Sequence, residues 1–153
     1  SVLERLDIAI ASIHMPCFKD ERTIDNVTAA YEKVMEHPYV DIIGHPDDGR
    51  FPVDMKRLVK KAKETGTLLE VNNSSLRPEG FRENTKENCL EMVKECKAQG
   101  VMIVLGSDSH VDADIAEYLY AEEILRETDF PEELVANVSL EKLKACIKHG
   151  KKL

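Results

Sequence analysis

Leu69-Glu70-Val71-Asn72-Asn73-Ser74-Ser75 passes without a break from an apolar run into polar side chains. The same switch occurs on either side of it. Residues 8–13 run into His14-Met15-Pro16, residues 40–43 into Gly44-His45-Pro46, and residues 101–105 into Gly106-Ser107-Asp108-Ser109-His110. None of the four apolar runs (8–13, 40–43, 67–71, 101–105) alternates apolar with polar, the pattern of strands covered on both faces in a parallel sheet. Segments of helical period lie between them. Ile24, Val27, Tyr31 and Val34 mark one, Met55, Leu58, Val59 and Ala62 a second, and Cys89, Val93 and Cys96 a third. Gly66 and Gly100 sit where a helix ends with positive φ, and Asn84 with Glu87 resembles a capping box. The order is a repeated βα unit, predicting an α/β fold with about four parallel strands. Helices are expected over residues 114–126 and 139–148, separated by Phe130-Pro131, with His149 as a capping or surface residue of the last.

The whole chain, residues 1–153, reads as one domain, long enough to bury roughly 70% of its unfolded surface without a metal or disulfide. Hydrophobic residues make up 42% and charged residues 33%, a globular balance. A net charge of −8 argues against nucleic acid or an anionic membrane as the main partner. No apolar run approaches the ~18 residues of a membrane span, and no secretion signal opens the chain, so a cytoplasmic location is expected. Cys17, Cys89, Cys96 and Cys146 form no Cys-x-x-Cys pair and read as reduced thiols. The sequon matches at Asn72, Asn73 and Asn137 therefore carry no expectation of a glycan.

Chemistry collects where the strands stop. His14, His45, Asn72 and Asp108 follow one another at intervals of about one βα unit, roughly 30 residues. The carboxyl ends of strands in parallel α/β folds form the active face. His14, His45, His110 and Asp108 are therefore expected on one rim, with nitrogen and oxygen donors suited to zinc, iron or manganese. His14 or His45 taken alone reads more readily as a hydrogen-bonded core or loop residue than as a ligand; the repetition at successive strand ends favours ligands. Glu70 and Asn72 share one face of their strand and are candidates either to support the ligands or to make a buried structural hydrogen bond. No Gly-x-Ser-x-Gly elbow, phosphate-cradling glycine loop or dinucleotide fingerprint is present.

Ile43-Gly44-His45-Pro46, Glu70-Val71-Asn72-Asn73-Ser74-Ser75, Gly106-Ser107-Asp108-Ser109-His110 and Asn137-Val138-Ser139 resemble the PHP family, the polymerase-and-histidinol-phosphatase metallohydrolases. The closest likeness is to its small phosphatase-like members. The resemblance runs from Ile8 to Ile147. It implies the carboxyl-terminal half of a distorted (βα)7 TIM-like barrel, divalent metal ions with zinc foremost, and hydrolysis of a small phosphorylated substrate. His14, His45, Asp108 and His110 fall on the family's metal-ligand positions, with Asp108 and His110 also implied as catalytic residues. The family's opening His-x-His, two further histidines and a bridging Glu have no counterpart here. The resemblance then leaves His14 and His45 as two ligands of three at one position. Asp108 is left as one of four at a second, and His110 as one of three at a third. The chain thus reads as a fragment of a longer protein or a truncated homologue, with weak or no activity alone. The alternative is a non-catalytic half-barrel that binds metal weakly or assembles with another chain. Lys19, Arg50 and Arg77 each follow a different strand and are candidates to orient an anionic substrate, or are ordinary solvated loop charges. A second copy of the chain is a candidate to cover the sheet edge that a half-barrel leaves open.

Overall fold

The computed structural model describes residues 2–148. Four strands, β1 (Ile10–Ala11), β2 (Ile42–Ile43), β3 (Leu68–Asn72) and β4 (Ile103–Gly106), form one sheet in the order β1-β2-β3-β4. All three pairings are parallel. Helices α1 (Ile24–Met35), α2 (Met55–Thr65) and α3 (Thr85–Gln99) make the crossovers, and α4 (Leu119–Glu127) and α5 (Leu140–Cys146) follow β4. The apolar runs predict these strands, but β1 is shorter than expected: Ile10 is 59% exposed at the sheet edge, where among the described residues β2 alone pairs with it.

Local chemistry sets the helix ends. Thr23 and Asp54 cap α1 and α2, accepting hydrogen bonds from the amides of Asn26 and Arg57. Gly66 and Gly100 close α2 and α3 in the left-handed conformation. The capping box expected at Asn84 does not form. Asn84 has φ 50° and its side chain makes no cap bond. The α4 helix starts later than its periodicity predicts, because residues 112–114 form a 3-10 turn and Ala116 takes φ 62°. The last helix is also shorter, ending at Cys146, and His149 lies outside the described residues.

Period-two alternation divides the strand side chains. Ile43, Leu69, Val71 and Ile103 face α1–α3 and join Val27, Tyr31, Leu58, Val59, Met92 and Val93 in the main core. On the other face Ile42, Leu68 and Val104 pack with Ala136, with Leu143 and Cys146 of α5 alongside. The free edge of β4 is partly closed by the segment that follows α4. Val135 bridges Ile103 in parallel fashion, and the Asn137 side chain both accepts from the Leu105 amide and donates to its carbonyl. A single amide thereby does the work of a neighbouring strand.

The connections are unequal at the two ends of the sheet. Residues 12–23, 44–54, 73–84 and 107–118 leave the carboxyl ends as long loops, whereas residues 66–67 and 100–102 return to the amino ends in short turns. Extra chain length is therefore concentrated at the end where α/β folds carry function.

Candidate functional site

A cleft of about 790 Å³ opens at the carboxyl ends of the strands, lined by His14, His45, Glu70, Arg82, Asp108 and His110, among others. All four expected ligand residues border it. The rings of His14 and His45 meet edge to face with centroids 4.9 Å apart. His45 is buried, and its Nδ1 has no hydrogen-bond partner within the protein. Burial, then the neighbouring Arg82 and His14, depress its pKa to about 4, so the ring is neutral at neutral pH. His14 is more exposed, with Nε2 2.9 Å from the Ser12 hydroxyl. His110 is exposed, and its Nδ1 lies 3.0 Å from the carbonyl of Asp108.

Two of these residues occupy uncommon backbone conformations. His45 has φ 34° and Asp108 φ 49°, both in the region that favours glycine. Such local strain persists only where surrounding contacts impose it. At His45 one such contact is Glu70, whose Oε2 accepts the His45 amide at 2.8 Å. At Asp108 it is Arg82, which donates from one terminal nitrogen to Oδ2 at 3.1 Å.

Glu70 is a buried carboxylate on the sheet face opposite α1–α3. Burial raises its pKa, while hydrogen bonds from the Asn72 amide group and the His45 backbone oppose the rise. Asn72 continues the network, with its Oδ1 accepting from the Ser75 amide at 2.8 Å. Glu70 and Asn72 thus make the structural hydrogen bonds anticipated as one of their two readings, and they do so directly beneath His45.

Arg82 is the residue that spacing did not single out. Its side chain is only 7% exposed, yet it lines the cleft, donating to Ser75 Oγ at 2.7 Å and to Asp108. Its Nε is buried without a hydrogen bond and lies 3.9 Å from Asp48. In the sequence Arg82 differs in no way from Arg77; only the path of the loop turns one inward. The three cations expected to meet a substrate stand outside the residues that line the cleft. Arg50 is engaged by Asp48 through paired hydrogen bonds, Arg77 pairs with Asp114 at 2.9 Å, and Lys19 is exposed. Asp48 answers these cations: burial opposes its ionisation, but Arg50 and Arg82 outweigh it and hold its pKa low.

The donor chemistry fits a divalent ion in part. A buried neutral imidazole with an unpartnered nitrogen, beside a second imidazole, provides two ligands of the kind zinc takes. A third is lacking: among the described residues no three His, Cys, Asp or Glu side chains stand close enough to share one ion. Asp108 is turned to Arg82. No helix among the described residues is long and apolar enough to cross a membrane.

No protein-family model matches the chain. It is 46% identical over 152 residues to a probable phosphatase of Clostridium novyi (strain NT), an alignment covering 99% of this chain and 61% of that protein. It is 42% identical over 149 residues to a probable phosphatase of Acetivibrio thermocellus, covering 97% and 60%. A probable phosphatase of Caldicellulosiruptor saccharolyticus is 38% identical over 154 residues, covering 100% and 63%. The chain therefore spans about three fifths of the length of the curated relatives it matches.

Proposed function

We propose that the chain forms the carboxyl-terminal part of a PHP-type, metal-dependent phosphatase and that its cleft receives the phosphoryl group of a phosphomonoester. The observation carrying this reading is the gathering of His14, His45, Asp108 and His110, together with Arg82, around one cleft at the ends of consecutive parallel strands. The names of the relatives agree with phosphoester chemistry. The strand order supports a barrel segment: a doubly wound sheet reverses its order at a switch point, whereas a barrel wall runs in sequence.

In this reading His14 and His45 hold one divalent ion, zinc foremost, with manganese or iron as alternatives. Lewis acidity toward a phosphoryl oxygen is the chemistry such an ion supplies. Arg82 presents its planar guanidinium to the phosphoryl oxygens, a geometry suited to paired hydrogen bonds. Asp108 and His110 flank the reacting group from the fourth strand end as the catalytic residues. Arg50 and Arg77, paired with Asp48 and Asp114, add little net field at the cleft, which leaves Lys19 as the outer cation of the three.

The shortage of a third protein ligand favours a second reading for the isolated chain: a folded module that binds metal weakly and turns over little substrate. Zinc titration by calorimetry tests both readings. The parent and His110→Ala should bind at most one ion, and His45→Ala should bind none. Chelator should remove the ion without unfolding, because the apolar core does not depend on it. Equal loss in both variants would overturn the assignment to His14 and His45. Robust metal-dependent turnover of an aryl phosphate, abolished by Asp108→Ala, would overturn the weak-module reading.

A further inference from the structure

The ring of Phe81 is 72% exposed at the lip of the cleft. It also borders a second, smaller pocket of about 270 Å³ shared with Ser74, Arg77 and Gly80. Phe81 therefore stands on the ridge between the two. An isolated exposed apolar side chain needs no explanation. This one is braced: the guanidinium carbons of Arg50 and Arg82 lie 4.8 and 5.3 Å from its ring centroid. Both cations are themselves anchored, Arg50 by the buried Asp48, Arg82 by Ser75 and Asp108.

We infer that Phe81 is a stacking platform for the leaving group, so that the cleft selects phosphomonoesters whose leaving group carries a planar aromatic ring. The inference rests on the phosphatase reading above and adds the substrate class. At about 790 Å³ the cleft is in the range of sites for whole small molecules, and larger than a phosphoryl group requires. A phosphoryl group held at Arg82 has Phe81, the preceding residue, as its apolar neighbour. A ring flanked by two anchored cations loses less conformational freedom than an unflanked one when a second ring packs against it. Aromatic pairs gain from offset or edge contact beyond the area they bury. The cations around Phe81 already carry carboxylate partners, with Arg77 held by Asp114. A neutral ring thus suits the ridge better than a further anionic group, and a short alkyl leaving group gains nothing from it.

Calorimetric titration of the intact chain with inorganic phosphate, ethyl phosphate and phenyl phosphate tests this. The parent should bind phenyl phosphate about three- to tenfold more tightly than ethyl phosphate, the range expected of one aromatic pair. Phe81→Ala and Phe81→Leu should both bring the ratio close to one, with folding checked by circular dichroism. A ratio near one in the parent, or a preference kept in Phe81→Ala, overturns the platform. A preference kept in Phe81→Leu alone overturns stacking, since apolar area then suffices. Failure of the parent to bind inorganic phosphate would instead overturn the phosphoryl site beneath it, a result separable from the other three.

Discussion

The Glu70 carboxylate lies directly over the Cα of Gly106. A Cβ built there would clash with Oε1 and stand 2.8 Å from Cδ. On the opposite side a Cβ on Gly44 would stand 3.4 Å from Oε2. Gly106 at the end of β4 and Gly44 just after β2 thus leave room for an acidic side chain to lie along the sheet and reach the amide of His45. Gly106→Ala should destabilise the fold by about 1–3 kcal/mol, the usual cost of forcing a group into a packed site. Glu70→Ala in the same chain should recover part of that loss, because the clash then disappears. Denaturant unfolding of the single and double variants measures the coupling; strictly additive effects would contradict the contact.

Asp47 is buried, and neither carboxylate oxygen has a hydrogen-bond partner within the protein. Burial raises its pKa to about 7; its own backbone amide tempers the rise. The folded state therefore holds a proton that the unfolded chain, with a carboxyl near its ordinary value of 3.8, releases. The Asp47 contribution to folding stability should therefore fall as pH rises from about 4 to about 7 and then level off, opposing the gain that His45, its pKa depressed from 6.5 to about 4, makes over much of the same range. Asp47→Asn should flatten that slope and be more stable than the parent at pH 8. Thermal melts across this range check the sign.

Arg82 ties the loop after β3 to the end of β4 through Asp108. Arg82→Met keeps much of the side-chain volume but removes every donor. Hydrogen bonds to charged groups are worth about 1.5–3 kcal/mol each when intact, and Asp108 is partly solvated, so a loss of about 1–2 kcal/mol is expected. The same variant should lose affinity for inorganic phosphate. Unfolding curves and phosphate titration together measure both effects.

The thiols divide by burial. Cys17 is exposed, whereas Cys89 and Cys96 are buried in the main core. Burial pushes the Cys96 thiol up to about 12 and holds Cys89 well above the ordinary range. Only thiolate reacts with alkylating agents. Iodoacetamide at pH 8 should modify Cys17 first and leave Cys89 and Cys96 intact until denaturant is added, as peptide mass mapping would show.

The fold and the gathering of the candidate ligands were legible in the sequence because both follow from period and punctuation. Unbroken apolar runs at βα intervals predict parallel strands, and parallel strands bring their carboxyl ends to one side. That puts His14, His45, Asp108 and His110 around one cleft without any knowledge of the loops. Ends of elements were less legible, since Asn84 and Ala116 adopt positive φ that neither residue's identity demands. What the loops add to the cleft was decided by tertiary structure alone. Arg77 and Arg82 sit in one loop with the same side chain, yet one pairs with Asp114 while the other turns in to Ser75 and Asp108. Asp47 and Asp48 are sequence neighbours, yet one is left unpartnered and the other meets two cations. Period sets which face of a strand or helix a residue occupies, because backbone hydrogen bonding repeats. A loop has no such repeat, so the side chains it delivers to the cleft depend on contacts formed only once the sheet is built.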